Sequence, residues 1–171
     1  MNWYVFYSKH QNNKQLLEVL NKQENLDAFI PKVEKWFKCS GFSDYQLMDM
    51  YPGYIFIRSL LNEEEFKSKY MKLFESVGRL GELLEQDRFI SLSESDGEIM
   101  SWLFHNQGVI THSIGKYNGD DLMIMEGPLC GFESKIKKIN RHKRIAKVDY
   151  ALLGMNMLLP LEVINSKGSV Y

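Results

Sequence analysis

The sequence predicts an α+β fold, in which an N-terminal domain with helices against an antiparallel sheet precedes a small C-terminal β-barrel. Helical and strand patterns alternate through residues 1–106, and this order is typical of a split αβ sandwich. From Leu122 to Val163 the pattern changes to period-2 alternation, which indicates strands alone. The chain has 171 residues, of which 44% are apolar, so it has enough core material for two small domains.

The N-terminal domain is predicted to begin with a strand and a helix. The segment Trp3–Tyr7 is short, aromatic and wholly apolar, as in strands that are buried on both faces. Residues 12–23 contain good helix formers, and an apolar face predicts that this helix packs on the sheet. The leucines that share this face are Leu16, Leu17 and Leu20.

Three further strands are predicted in the next part of the chain. Phe29–Phe37 reads as a strand that is entered through Pro31. Tyr45–Tyr51 follows a polar turn and stops at a Pro-Gly corner. Tyr54–Arg58 then resumes with β-branched and aromatic residues, which is typical of a central strand.

Two more helices are marked by capping signals. Asn62 precedes the acidic residues Glu63–Glu65, at positions where the helix dipole favours negative charge. Apolar residues then form one face of this helix, and Gly78 ends it. Ser93–Asp96 resembles a capping box before a second apolar pattern, so another helix is expected there. The apolar residues are Phe66, Tyr70, Leu73 and Phe74 in the first helix, and Ile99, Trp102 and Leu103 in the second.

A domain boundary is predicted at the polar, glycine-containing segments 105–108 and 118–119, where few core contacts are expected. The predicted division is a first domain of residues 1–106, a linker of residues 107–118 and a second domain of residues 119–171. Expressed alone, the second domain is expected to form a folded β-rich module.

The most informative segment of the chain is residues 121–139. An alternating strand is followed by Gly127-Pro128, by Gly131 and by another strand. Proline fixes φ and donates no N–H, and glycine accepts backbone angles that a β-carbon resists, so a tight corner between paired strands is expected. This order is the core of a KOW motif. Gly-Pro-x-x-Gly is also common in ordinary turns, and the KOW interpretation depends on the preceding Gly119-Asp120 and on the basic strand pair that follows.

Charged residues are distributed unevenly along the chain. Residues 1–132 carry 13 Lys or Arg against 19 Asp or Glu, a net charge of −6, whereas residues 133–147 carry 7 against 1, a net charge of +6. Such a segment inside a mildly acidic protein is predicted to bind anions. A solvated hairpin tip is the other interpretation, and the KOW-like context favours anion binding. The side chains concerned are Lys135, Lys137, Lys138, Arg141, His142, Lys143, Arg144 and Lys147.

Several functional classes find little support in the sequence. Cys39 and Cys130 lack the spacing of a zinc site or a disulfide framework and are expected to be buried or incidental thiols. Short apolar runs and the absence of a signal-peptide pattern predict a soluble cytoplasmic protein without membrane contact. The four histidines are isolated, and Glu63–Glu65 is better explained as a helix cap than as a catalytic pair. We therefore expect a non-enzymatic protein without a metal or cofactor.

A series of short motifs follows in order along residues 2–165: Trp3-Tyr4-Val5, Phe29-Ile30-Pro31, Met50-Tyr51-Pro52-Gly53-Tyr54, Val77-Gly78-Arg79-Leu80-Gly81 and Gly127-Pro128-Leu129. Their combination resembles the bacterial NusG family of transcription elongation factors. The resemblance implies an NGN domain that binds the clamp of RNA polymerase, followed by a KOW domain that recruits a partner.

The resemblance also implies a polymerase-binding surface at the element that matches the family's aromatic-aromatic-Pro-Gly-Tyr motif. Met50 stands where the family has its first aromatic residue, and it keeps the site apolar. An aromatic-lined apolar hollow suits a helical partner. The alternative is that Tyr51 and Tyr54 are core residues that flank a turn. The residues implied in polymerase binding are Tyr4, Met50, Tyr51, Pro52 and Tyr54.

The basic segment departs from general NusG proteins and is more similar to the specialised RfaH and LoaP paralogues, which are operon-specific antiterminators. Its charges suit phosphate contacts with an RNA leader hairpin that is recognised by backbone and shape. Candidates for base contacts near the turn are Arg141, His142 and Arg144. The implied partners are RNA polymerase, the RNA hairpin and NusA-type factors or the ribosome, and the chain is expected to be a monomer.

An alternative function is that of a KOW-containing RNA-binding or ribosome-associated protein without a polymerase role. Ribosomal KOW proteins usually carry positive charge throughout and do not need the Tyr51-Pro52-Gly53-Tyr54 element. The acidic residues 1–132 of this chain weigh against such a role.

Overall fold

The computed structural model describes residues 1–7, 13–78, 89–104 and 107–165, and for residues 13 and 75–78 it describes the backbone only. Within these residues the chain forms three α-helices and twelve β-strands. In chain order the elements are β1 (Asn2–Tyr7), α1 (Asn13–Leu20), β2 (Leu26–Phe29), β3 (Lys32–Cys39), β4 (Phe42–Asp49), β5 (Tyr54–Ser59), α2 (Glu63–Gly78), β6 (Phe89–Ser91), α3 (Glu94–Leu103), β7 (Val109–Ile110), β8 (Ser113–Asn118), β9 (Asp121–Glu126), β10 (Ile136–Asn140), β11 (Ile145–Leu152) and β12 (Met155–Ile164).

The first of two compact units consists of Met1–Pro31 and Tyr51–Ser101. Its four-stranded antiparallel sheet has the order β2-β5-β1-β6. The two central strands are apolar on both faces, and their burial confirms the prediction made from their sequences. The buried residues are Trp3, Tyr4, Val5 and Phe6 in β1, and Ile55, Phe56 and Ile57 in β5.

The predicted helices of this unit form, and the apolar faces of α1 and α2 share one buried cluster with β1 and β5. At the start of α2, the Asn62 side-chain oxygen accepts the N–H of Glu65, and the Glu65 carboxylate accepts the N–H of Asn62, both at 3.0 Å. At the start of α3, the hydroxyl of Ser93 accepts the N–H of Asp96 at 3.2 Å. Both capping predictions are confirmed.

The prediction of a single strand over Phe29–Phe37 is wrong. β2 ends at Phe29, β3 begins at Lys32, and the two strands pair with different neighbours, β5 and β4. Pro31 lies between them. Because proline donates no N–H and has a fixed φ, it separates two strands here. β4 also ends earlier than predicted, at Asp49, because the following residues enter a turn.

The second compact unit consists of Lys32–Met50 and Trp102–Tyr171. A five-stranded sheet has the order β10-β11-β12-β8-β9, in which β12 and β8 are parallel and the other neighbours are antiparallel. A smaller sheet has the order β4-β3-β7. The period-2 alternation predicted for the C-terminal strands is confirmed in β11 and β12. Their buried residues are Ala146, Val148, Leu152, Met157, Leu159, Pro160, Leu161 and Val163, with Pro160 the exception to the alternation.

The segment expected as a linker, residues 107–118, contains β7 and β8. β8 lies between β12 and β9 in the five-stranded sheet. Its residue Ser113 is buried, and the hydroxyl accepts the N–H of Leu129 at 3.0 Å. This polar segment joins the sheet because its polar groups find partners there. The compact units therefore do not follow the boundaries predicted at residues 106 and 119.

Some features noted in the sequence lie outside the described residues, namely Arg79-Leu80-Gly81, His10 and His105. Both cysteines are described: Cys39 is an exposed free thiol and Cys130 a half-buried one. No helix in the described part of the chain is long and apolar enough to cross a membrane.

Candidate protein and nucleic-acid interfaces

The Tyr51–Tyr54 element forms a tight turn. Tyr54 donates its N–H to the Tyr51 carbonyl at 3.1 Å, which closes the turn. Pro52 and Gly53 occupy the two central positions, and Gly53 has a φ of 86°. Proline followed by a residue with positive φ is the pattern of a type II turn. The Pro-Gly sequence therefore dictates this corner before β5.

The five residues that the resemblance implies in polymerase binding differ in exposure. Tyr4 is 1% exposed and Tyr51 is 6% exposed, so both are core residues of the first unit. Pro52 is exposed, whereas Met50 and Tyr54 are half-buried. The surface that this turn offers to a partner is therefore mainly that of Pro52 and Tyr54.

Tyr51 is a buried aromatic residue that packs against two other rings. Its ring stacks on Phe56 with centroids 6.0 Å apart and meets Tyr54 edge-on at 6.2 Å. No described residue forms a hydrogen bond with its hydroxyl. Burial raises the pKa of Tyr51 to about 12.

Residues 135–147, which include β10, its turn and the start of β11, form the basic hairpin. The two strands pair so that Lys138 lies directly opposite Lys147. Seven of the eight side chains predicted to bind RNA are exposed, and Arg144 is half-buried. The fold thus exposes most of the predicted residues along one hairpin. The seven exposed residues are Lys135, Lys137, Lys138, Arg141, His142, Lys143 and Lys147.

Local hydrogen bonds fix the tip of the basic hairpin. The side-chain oxygen of Asn140 accepts the N–H of Lys143 at 2.9 Å. Arg144 donates its N–H to the Arg141 carbonyl at 3.2 Å and has a φ of 50°. Because these bonds hold the backbone, Arg141, His142 and Lys143 are presented by an ordered turn.

Acidic side chains neutralise part of the basic hairpin. Lys137 and Asp149 form an ion pair at 2.7 Å, and both side chains are exposed. Arg144 is paired with Glu162. The remaining lysines keep their charge available for an external anion. The lysines without an ion pair among the described residues are Lys135, Lys138, Lys143 and Lys147.

Arg144 is the predicted RNA contact that the structure places apart from the others. Its side chain is 16% exposed, and its guanidinium is ion-paired with Glu162. The guanidinium carbon also lies 3.4 Å from the centre of the Trp36 ring, within the range of a cation–π interaction. A base contact by Arg144 would require its guanidinium to leave both partners.

Arg144 belongs to a larger cluster that the sequence did not predict. Tyr45 donates its hydroxyl hydrogen to Glu162 at 3.0 Å, and its ring stacks on His112 with centroids 4.1 Å apart. His112 contacts the Glu34 carboxylate through Nδ1 at 2.6 Å. Burial raises the pKa of Tyr45 to about 12. These residues lie far apart in the sequence, so no local pattern marks them as neighbours.

No three His, Cys, Asp or Glu side chains in the described residues lie close enough together to hold a metal ion. His112 is engaged with Glu34, and His142 is exposed at the tip of the basic hairpin. The two surfaces described above, an apolar turn and a cationic hairpin, are suited to binding macromolecules.

Comparison with known proteins identifies the class. Residues 1–100 match the family model described as transcription termination factor nusG. Because this match covers more than half of the 171 residues, the chain belongs to the NusG family. Members of this family are transcription elongation and termination factors that act with RNA polymerase.

A relative extends the similarity over the whole chain. The transcription termination/antitermination protein NusG of Helicobacter pylori is 24% identical to this chain over an alignment of 178 positions. The alignment covers 98% of this chain and 97% of the relative. The resemblance inferred from the sequence motifs is therefore confirmed at the level of the family.

Proposed function

We propose that this member of the NusG family is a transcription elongation and antitermination factor that binds RNA polymerase at the Tyr51–Tyr54 turn and an RNA stem-loop at the basic hairpin. In this proposal residues 1–106 act as an NGN domain, and the C-terminal sheet closes as a KOW β-barrel. The basic hairpin supports a role like that of the specialised LoaP and RfaH paralogues. The name of the Helicobacter pylori relative includes both termination and antitermination.

The observation that carries this proposal is the concentration of positive charge on one exposed hairpin. Residues 133–147 carry a net charge of +6 in a chain with a net charge of −1, so the remainder carries −7. A polyanion is attracted to the hairpin and repelled by the rest of the chain. Contacts between lysines and phosphates release counterions and supply much of the affinity for nucleic acid.

The arrangement of the lysines supports contact with a helical RNA backbone. Lys135 precedes β10 and Lys143 follows it, so cationic groups occur along the whole strand, which rises roughly 3.3 Å per residue. Lys138 and Lys147 lie side by side across the hairpin. The narrow major groove of A-form RNA hides its base edges, so an array of lysines on a rigid hairpin is expected to read phosphate positions and shape.

For the polymerase contact, the exposed Pro52 and the half-buried Tyr54 supply apolar surface. Tyr51 meets Tyr54 edge-on and helps to fix its ring. Aromatic residues are enriched among those that dominate binding energy. In this proposal Tyr51 is a positioning residue beneath the surface, and Met50, the residue before it, contributes an apolar flank. Tyr4 instead packs in the buried cluster that β1 shares with α1 and α2.

The proposed factor acts as a monomer, without enzymatic activity, and NusA-type factors or the ribosome are further proposed partners. The alternative of a ribosome-associated KOW protein without a polymerase role is less well supported. The family match lies in residues 1–100, outside the KOW-like segment, and NusG-family factors act with RNA polymerase.

The polymerase contact is tested by replacing Tyr54 with Ala and measuring binding to purified RNA polymerase. Loss of an anchoring aromatic residue should weaken binding by about 2 kcal/mol or more. Tyr117→Ala is the matched control, because it removes an exposed tyrosine of the other compact unit. Unchanged affinity of a folded Tyr54→Ala protein would refute this contact.

The RNA contact is tested by titrating a stem-loop RNA, a scrambled RNA and duplex DNA at several salt concentrations. Lys138→Ala and Lys147→Ala should each weaken RNA binding and lower the salt slope by about one unit. Lys72→Ala, which removes an exposed lysine of α2, is the matched control. If both hairpin variants bound as tightly as the control, the RNA site would have to lie elsewhere.

A further inference from the structure

Arg141 and Tyr117 form a cation–π pair at the tip of the basic hairpin. The Arg141 guanidinium carbon lies 5.0 Å from the centre of the Tyr117 ring. Tyr117 belongs to β8 and is 37% exposed, and Arg141 is exposed in the turn that follows β10. The fold therefore places an aromatic ring beside the cationic groups, at a position where it contributes little to the core.

The same turn contains a second arginine with a different environment. Arg144 is largely covered, is ion-paired with Glu162 and lies over Trp36. Arg144 thus stabilises the hairpin from within, whereas Arg141 is an exposed residue whose guanidinium lies over the Tyr117 ring.

We propose that the Arg141–Tyr117 pair is a stacking site for one unpaired RNA base, in a loop or bulge next to the stem that the lysines contact. This inference rests on the proposed RNA-binding function. A guanidinium plane stacks on a base, and an aromatic ring beneath it holds that plane in position. Arg141 is the residue that touches the base, and Tyr117 is a positioning residue.

The charges on the two sides of this pair differ. Asp120 and Asp121 follow Tyr117 closely in the sequence and disfavour a phosphate beside its ring, whereas Lys143 follows Arg141. Lys138 and Lys147 attract phosphates along the strands of the hairpin. A nucleotide at the pair is therefore held through its base, while the phosphates of the adjoining stem contact the lysines.

The test uses the full chain and two probes with the same RNA stem. One probe is closed by a loop of unpaired adenines that includes a fluorescent adenine analogue, and the other is the blunt duplex. The wild-type protein should bind the stem-loop about tenfold to a hundredfold more tightly than the duplex, as expected for one stacked base. Stacking should also quench the fluorescence of the loop analogue.

Variants separate stacking from charge. Arg141→Lys keeps the positive charge but removes the planar guanidinium. It should therefore abolish the preference for the stem-loop without changing the salt slope. Tyr117→Ala should act in the same direction, and Tyr117→Phe should behave as wild type. Lys147→Ala is the matched control, because it should weaken binding to both probes equally and lower the salt slope.

A preference for the stem-loop that persists in Arg141→Lys would overturn this inference. Equal binding of both probes by the wild-type protein, with a steep salt dependence, would also overturn it while leaving the proposed lysine contacts in place. If the protein bound neither probe, the proposed RNA-binding function and this inference would fail together.

Discussion

Arg144 and Glu162 form an ion pair in which both side chains are largely withdrawn from solvent, with 16% and 14% of their surfaces exposed. The Arg144 guanidinium also lies over the indole of Trp36 in β3, and Glu162 accepts a hydrogen bond from Tyr45 in β4. The pair therefore links the C-terminal sheet to the β3–β4 hairpin inside one compact unit. Arg144, although it lies next to the proposed RNA surface, therefore stabilises the interior of this unit.

Replacement of Glu162 by Gln should destabilise the protein. The change leaves the Arg144 charge poorly solvated and without its anionic partner. Breaking a fully buried pair costs about 3–5 kcal/mol, and because these side chains keep some exposure we expect a loss of about 1–3 kcal/mol in unfolding free energy. Urea denaturation of the variant and the wild type measures this loss.

The control for this prediction removes both charges at once. An Arg144→Met, Glu162→Leu double variant keeps similar volumes and should recover part of the lost stability. A Glu162→Gln protein that unfolds at the same urea concentration as the wild type would show that the pair adds no net stability.

Gly127→Ala should destabilise the protein more than Gly131→Ala. Both glycines have positive φ, 98° and 80°, which confirms the expected need for glycine at this corner. A β-carbon at Gly127 would lie 2.6 Å from the Ser113 α-carbon, whereas at Gly131 no described atom outside its chain neighbours lies within 4 Å. We expect losses of about 1 kcal/mol at Gly131 and about 3 kcal/mol or more at Gly127. Equal thermal shifts would contradict the steric argument.

Tyr51 should make stability fall between about pH 10 and pH 12. Burial raises its pKa to about 12 in the folded protein, against about 10 in the unfolded chain. Its contribution is complete below pH 10 and is lost as the pH rises toward 12, because the unfolded state releases its proton first. Two pKa units correspond to at most about 2.7 kcal/mol.

Tyr51→Phe is the matching variant for this pH dependence. It should keep or raise stability at neutral pH, since no described residue bonds the hydroxyl that is removed. It should also lose less stability than the wild type in alkaline solution, as measured by denaturation across the pH range. An unchanged alkaline loss would assign the effect to other tyrosines, such as Tyr45, whose pKa is also raised to about 12.

The fragment 119–171 should fold less well than the fragment 107–171. The shorter fragment lacks β8, which pairs with both β9 and β12. Without this strand, the interior strand β12 loses one of its two neighbours, and the edge strand β9 loses the strand that pairs with it in this sheet. Circular dichroism and hydrogen exchange of the two purified fragments test the prediction. A well-folded shorter fragment would support the domain boundary expected from the sequence.

The parts of the fold that the sequence predicted depend on local signals. The caps at Asn62 and Ser93 and the apolar runs of β1 and β5 involve residues that are close together in the chain. The strand break at Pro31 could not be predicted from neighbouring residues. A proline suits both the start of a strand and a break between two strands, and the choice depends on pairing partners elsewhere in the chain.

The candidate RNA surface was predicted by composition rather than by contacts. The exposure of Lys147 follows from simple alternation along β11. The environment of Arg144 does not, because Trp36 and Glu162 approach it only in the folded chain. The contact between Arg141 and Tyr117 likewise forms only in the folded chain. Such neighbours come from sheet order, which a single sequence does not specify.

Lys138 and Lys147 face each other across β10 and β11, and like charges in this position repel and weaken a strand pair. Salt relieves this repulsion, since the screening length falls from about 30 Å at 0.01 M to about 8 Å at 0.15 M. The same salt weakens the attraction of lysines for phosphates. The strand pair of the hairpin is therefore most stable at the high salt concentrations at which its affinity for RNA is lowest. In dilute salt, the phosphates of a bound RNA reduce the repulsion between the two lysines as counterions would.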